Sequence, residues 1–227
     1  MDFVLIPGAT GRAWYWHLVA PRLEAAGHRV ISVELPADDD TKGLTDYAQA
    51  VIDAAGTTTR PVVVAASLGG FTAPLVAGPL DTTTIILVNA MVPLPGEMAD
   101  DWWGDTGMEK ARIARARRLG YPVEFELDAY FLHDVDPDVI ATADPKADQS
   151  DRPMRDPCAF ETWPARVIAI AGRDDRFFPL EFQQDLARTR LGVEPIVVPG
   201  GHLVALSHPE ELTAAILKAA DSEGERP

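Results

Sequence analysis

Six short apolar runs punctuate the chain: Phe3–Ile6, Val30–Val33, Val62–Ala66, Ile85–Val88, Val167–Ala171 and Ile196–Val198. They lack the strict polar alternation of a half-exposed strand, so each suits a strand covered on both faces, as in a parallel sheet. Between them lie segments with apolar positions at helical spacing. Trp14 to Ala26 places Trp14, Leu18, Pro21 and Ala25 on one face, with Gly27 as a C-terminal stop. Leu44 to Ala55 aligns Tyr47, Val51 and Ile52, and Phe178–Leu191 and Pro209–Ala220 complete the set. Strand–helix alternation of this kind predicts an α/β protein, its mostly parallel sheet carrying helices on both faces.

The alternation breaks once, between Pro93 and Pro157. That stretch of 65 residues holds 15 acids and 8 bases, and the adjacent pairs Trp102–Trp103, Tyr130–Phe131 and Pro157–Cys158 are its natural anchors. Glu109 to Leu119 reads as a helix with Ile113 and Leu119 inward and Arg112, Arg115, Arg117 and Arg118 mostly outward. The arginines could form an anion site, but a solvated helix face is the simpler expectation. The organisation expected is therefore a core of residues 1–92 and 158–227, interrupted by an insertion, 93–157, on the sheet's edge or top.

Composition narrows the function. Apolar residues make up 47% of the 227 and charged residues 24%, as in an average globular domain, which excludes a disordered or collagenous chain. The formal net charge of -15 repels phosphate backbones and anionic headgroups, so neither nucleic acid nor a membrane surface is an expected partner. Pro61 to Leu80 runs for twenty uncharged residues, but its glycines and prolines fit strand–turn–helix better than a bilayer span. Phe3–Ile6 is too short and lacks the basic lead of a signal peptide, so a cytoplasmic location is expected. Cys158, the single cysteine, reads as a buried core or lid residue, and no metal cluster or phosphate cradle points to a cofactor.

Ser67 carries the first sign of chemistry. It ends the run Val62–Ala66 and precedes Leu68-Gly69-Gly70, the place for a nucleophile on a sharp strand-to-helix turn. Such an elbow reads Gly-x-Ser-x-Gly because bulk two residues either side would clash; here Ala65 replaces the first glycine. The plain alternative is a helix-capping serine. Ser32, Ser150, Ser207 and Ser222 lack this context. A serine hydroxyl needs a base, and of five histidines His202 follows the last strand within Gly200-Gly201-His202-Leu203, where a loop can return over the sheet. His17, His28, His133 and His208 sit in a helix, a junction, the insertion and a helix start. An acid to orient the imidazole is offered by Asp174 or Asp175 after Val167–Ala171, and spacing does not separate them. The glycine turn Pro7-Gly8-Ala9-Thr10 after the first strand could turn a backbone N–H toward an oxyanion; it could equally be an ordinary βα turn.

Taken together, these stretches resemble the α/β-hydrolase superfamily, in particular small members near the plant-type esterase and hydroxynitrile-lyase branch. The resemblance rests on Leu5-Ile6-Pro7-Gly8-Ala9, Ser67-Leu68-Gly69-Gly70, Gly172-Arg173-Asp174-Asp175 and Gly200-Gly201-His202-Leu203, with Ser207-His208-Pro209-Glu210. It implies a nucleophile Ser67, base His202 and acid Asp175 rather than Asp174, oxyanion donors at the backbone N–H groups of Ala9 and Leu68, and sheet order 2-1-3-4-5-6. It also implies that residues 93–157 are the family's variable cap. Pro7 stands where relatives carry histidine, so a supporting hydrogen bond there is lost or replaced. Leu203 stands where hydroxynitrile lyases carry lysine, which counts against cyanohydrin chemistry.

The expected activity is hydrolysis of a small-molecule ester, thioester or lactone through an acyl-enzyme. The alternatives are carbon–carbon bond hydrolysis or lysis by the same three residues, or a ligand-binding receptor on a hydrolase fold. Trp102, Trp103, Tyr130 and Phe131 are candidates for the pocket wall, or else for pinning the insertion to the sheet.

Overall fold

The computed structural model describes residues 1–143 and 148–221; Ser222 and positions 144–147 of the expected insertion lie outside the described residues. Its one sheet consists of β1 (Asp2–Ile6), β2 (Arg29–Ser32), β3 (Val62–Ala66), β4 (Thr84–Val88), β5 (Arg166–Gly172) and β6 (Ile196–Val198). The strand order is β2-β1-β3-β4-β5-β6 and every neighbouring pair is parallel.

The lack of polar alternation has a direct cause. On β1, Val4 and Ile6 face one cluster while Phe3 and Leu5 face another, and all four are fully buried. The first cluster packs the sheet against α2 (Leu44–Ala55), α3 (Ala73–Ala77) and α8 (Leu180–Leu191), with Trp102, Met108 and Cys158 joining it. The second packs it against α1 (Ala20–Ala25) and α10 (Pro209–Asp221), through Leu23, Leu212 and Ile216. Burying apolar surface on both faces is the main stabilising contribution in such a layered fold.

Between β4 and β5 lie α4 (Ala99–Thr106), α5 (Met108–Leu119), α6 (Leu127–Tyr130) and α7 (Pro137–Ile140). Two expectations for this stretch fail. Arg112 is turned inward, donating through Nη1 to Val123 O and to Tyr130 Oη, each at 2.7 Å. Leu119, expected inward, is 57% exposed, because α5 ends there on the left-handed Gly120. Arg115 and Arg118 both bind Glu181 on α8, at 2.8 Å, which fastens α5 to the core. Cys158 is buried; its thiol donates to Phe71 O, and burial pushes its pKa up to about 12.

The first expected helix is also not continuous. Trp14 lies in a 3₁₀ turn, Ala13–Trp16, and α1 begins only at Ala20, with Pro21 in its first turn. The inward residues are Trp16, Val19 and Leu23, while Pro21 and Ala25 are exposed. A short α9 (Val204–Ser207) precedes α10. No helix among the described residues is long and apolar enough to cross a membrane.

Candidate active site

Ser67, Asp174, Asp175 and His202 all lie just beyond the C-terminal ends of strands, where a parallel sheet leaves a crevice. Ser67 directly follows β3 with φ +48°, a left-handed conformation costly for a residue with a Cβ. The chain then enters a 3₁₀ turn, Ser67–Phe71, that leads into α3. Tight packing explains the small residues around it. A Cβ on Gly69 would lie 2.5 Å from Pro7 O, and one on Gly8 would lie 2.8 Å from Ser67 Cβ. Ala65, in place of the expected glycine, fits its methyl into the buried core.

Three of the side chains form one hydrogen-bonded chain. Ser67 Oγ is 3.0 Å from His202 Nε2, and His202 Nδ1 is 2.9 Å from Asp175 Oδ2. A carboxylate accepts only, so Nδ1 carries the proton and Nε2 is left to accept from the serine hydroxyl. Asp175 is fully buried. Its Oδ1 accepts the Phe177 and Phe178 N–H groups at 2.8 Å, and its Oδ2 also accepts from Gln183 Nε2 at 3.3 Å. Those donors fix the carboxylate in orientation. Asp174 is elsewhere: its carboxylate is half-exposed, lies near Arg173 and accepts the Gly200 N–H. Geometry thus separates the two acids that spacing left tied.

Asn89, at the end of β4, is a site residue that the sequence reading passed over. Its Oδ1 accepts the Gly172 N–H at 2.6 Å, and its Nδ2 donates to Gly201 O and His202 O at 2.9 and 3.1 Å. One buried amide therefore fastens the loop carrying the histidine to the strand end preceding the aspartate. The available signal was a lone asparagine ending an apolar strand, where a buried amide needs partners. Phe131, Phe177 and Phe178 surround the imidazole edge-on, with ring centroids 4.8 to 5.1 Å away.

A cavity of about 810 Å³ opens over Ser67 and His202. Ala9 and Leu68, the expected oxyanion donors, both line it. Of the four aromatic candidates the structure brings Trp103 and Phe131 to this wall, together with Met91, Leu127 and Phe177. Trp102 and Tyr130 do not reach it. Trp102 is fully buried against Phe178 and Phe182 and donates its indole N–H to Val92 O. Tyr130 is fully buried too, its hydroxyl donating to Pro122 O at 2.6 Å. Tyr15 also lines the cavity, and burial raises its phenol far above the usual range, so it remains neutral. Among the described residues no group of His, Cys, Asp or Glu side chains is arranged to hold a metal ion.

The strand order and the strand–turn–helix at Ser67 place the molecule in the class of hydrolase-type α/β folds. The chain belongs to the alpha/beta hydrolase family, whose profile matches residues 3–216. It is 26% identical to methylesterase 3 of Arabidopsis thaliana over 254 residues, covering 96% of this chain and 95% of the relative. A shorter match, 30% identity over 103 residues and 40% of each chain, links it to an alpha-hydroxynitrile lyase of the same plant. Among solved structures, a pyrethroid hydrolase from Sphingobium faniae superposes with a TM-score of 0.76 at 23% identity, covering 100% of this chain and 99% of the other. A methylesterase from Arabidopsis also reaches 0.76, at 17% identity with 98% and 99% covered. Family and relatives together make this protein a hydrolase of the esterase type.

Proposed function

We propose that the protein is a serine esterase that cleaves small, largely apolar, uncharged esters through Ser67, His202 and Asp175. The observation that carries this reading is the unbroken hydrogen-bond chain from Ser67 Oγ through His202 to Asp175, opening on an 810 Å³ cavity. In this reading His202 Nε2 takes the Ser67 proton as Oγ attacks the ester carbonyl. The tetrahedral oxyanion is met by the Ala9 and Leu68 N–H groups, and Asp175 stabilises the imidazolium. Protonated His202 then delivers its proton to the departing alcohol, leaving an acyl-Ser67. Water, deprotonated by the same nitrogen, releases the acid and restores the serine.

The substrate class follows from the wall. Trp103, Phe131, Phe177, Leu127 and Met91 supply apolar surface. Among the described lining residues the one arginine or lysine, Arg12, faces the Glu34 and Asp38 carboxylates. With Asp151 also at the wall and a net charge of -15, a substrate carboxylate meets repulsion rather than a clamp. The volume suits a ligand of drug size. The partial match to a hydroxynitrile lyase raises lysis as a second reading, but Leu203, which follows His202 and lines the cavity, offers no cation for a leaving cyanide.

The test is a panel of p-nitrophenyl and methyl esters, neutral acyl chains beside ω-carboxylate analogues of equal length, with mandelonitrile as the lyase substrate. The reading expects turnover of the neutral esters, at least about tenfold lower kcat/KM for the charged ones, and no cyanide release. Turnover of mandelonitrile with inert esters would contradict it.

A further inference from the structure

The turn after β1 carries a strain that its own sequence does not relieve. Gly11 N–H donates to Gly8 O at 3.2 Å, closing a four-residue turn, and the third residue, Thr10, has φ +69°. A positive φ at that position marks a type II turn, where glycine is the unstrained residue. Threonine is β-branched and enters the left-handed region poorly. The relaxed alternative is a type I turn, which differs by roughly half a rotation of the central peptide, here Ala9–Thr10. That flip would return Thr10 to negative φ and reverse both its N–H and the Ala9 carbonyl.

One side chain opposes the flip. Gln149, beyond α7 in the β4–β5 stretch, accepts the Thr10 N–H through Oε1 at 2.9 Å. Its Nε2 donates to Tyr47 Oη at 3.1 Å and to Ser150 O at 2.9 Å, which fixes the end of the amide that faces the turn. Gln149 lines the same cavity as Gly8, Ala9 and Ser67. We propose that Gln149 is a positioning residue for the oxyanion turn, locking the Ala9–Thr10 peptide in the one orientation compatible with a fixed donor at Ala9.

The inference rests on the proposed role of the Ala9 N–H. An oxyanion donor is worth its full value only if it is fixed before charge develops. A turn exchanging between two forms would swing a carbonyl dipole beside that donor and lose this advantage. Gln149 also answers the question posed by Pro7: support for the turn comes from across the cavity, out of residues 93–157, instead of from a side chain on the turn.

The experiment is a double-mutant cycle of Gln149→Leu and Thr10→Gly, assayed with p-nitrophenyl acetate alongside melting temperature. Gln149→Leu should lower kcat about 10- to 100-fold with KM within about threefold, the signature of support lost at the transition state. In the Thr10→Gly background, where positive φ is unstrained, the same substitution should cost at most about threefold. Gln149→Glu, which keeps an acceptor for the Thr10 N–H, should retain more kcat than Gln149→Leu and covers the case in which the leucine variant fails to fold. An unchanged kcat, a loss confined to KM, equal losses in both backgrounds, or no advantage of glutamate over leucine overturns the inference. If the wild type itself leaves p-nitrophenyl acetate and a fluorophosphonate probe untouched, the esterase reading fails instead, which separates the two.

Discussion

The cavity has a floor and a roof, and they are built on different principles. The floor is made of strand ends. Ser67, Asn89, Asp175 and His202 follow β3, β4, β5 and β6. Asn89 and Asp175 are held mainly by backbone groups of the neighbouring loops, and Ser67 and His202 are bonded in turn to that framework through Asp175 and Asn89. The roof comes from the β4–β5 stretch, where Trp103, Leu127 and Phe131 reach the cavity from short helices. Those helices are fastened by side chain to side chain: Arg115 and Arg118 to Glu181, Arg112 to Tyr130, and the buried Arg190 to Glu97. A floor dictated by the backbone leaves little freedom to side-chain change, whereas a roof hung on side chains can be reshaped without disturbing the sheet. Under the proposed function, reaction chemistry belongs to the floor and substrate choice to the roof.

The largest expected effect lies in the floor. Asp175→Asn should lower kcat/KM by about 10³- to 10⁴-fold, because an amide cannot hold the imidazole in the required tautomer or balance its charge. Asp174→Asn should cost less than about threefold, since its half-exposed carboxylate only accepts the Gly200 N–H and lies beside Arg173. Steady-state kinetics with one ester decides between them, and comparable effects would erase the distinction drawn by geometry.

A smaller and more selective effect is expected in the roof. Trp103→Ala and Phe131→Ala should shift preference along an acetyl to octanoyl series while the melting temperature changes little. Trp102→Ala and Tyr130→Ala should do the reverse. Emptying the site of the fully buried Trp102 should cost about 3–5 kcal/mol of stability, with losses spread evenly over the series. A chain-length shift from Trp102→Ala, or none from Trp103→Ala, would break the separation of wall from anchor.

The smallest effect concerns the join between floor and roof. Asp134 accepts the Gly201 N–H from the loop bearing His202, and His133 lies beside it. Burial holds the His133 imidazole below its usual range, with the Asp134 carboxylate pulling the other way. The folded protein thus binds this proton less readily than the unfolded chain does. The stability involved is complete above pH 6.5 and is lost as pH falls from there through the folded-state pKa. His133→Asn should therefore flatten the decline of melting temperature between about pH 7 and pH 5. An unchanged slope would mean that other groups govern it.

The same division explains what could be read from sequence. Strands buried on both faces, as β1, β3 and β4 are, declare themselves as apolar runs. The partly exposed edge strands β2 and β6 are still apolar enough to be read, so the six strands and the positions of Ser67, Asp175 and His202 beyond them were legible. Their order came from resemblance, because pairing is a long-range choice that no local pattern encodes. Asn89 was visible only as a strand end lacking an acid, because an amide acting through backbone groups leaves no motif. In the roof the reading failed residue by residue. Trp102 and Trp103 are neighbours of one chemical type, yet one is an anchor and the other a wall, and α4's orientation alone decides which. Arg112 looked like a solvated cation but has a carbonyl and a phenol waiting inside. The helix expected over 14–26 failed because Pro21 fits only the first turn of a helix, so a 3₁₀ turn precedes it and shifts the buried set to Trp16, Val19 and Leu23.

The claim beneath all of this is that Ser67 is a nucleophile activated by His202. Incubation of the wild type, Ser67→Ala and His202→Ala with a fluorophosphonate, followed by intact mass and peptide mapping, tests it directly. The account predicts one adduct per wild-type chain, on the peptide containing Ser67, none on Ser67→Ala, and labelling of His202→Ala slowed by several orders of magnitude. An adduct on any other residue, or an equally fast adduct without His202, would contradict it.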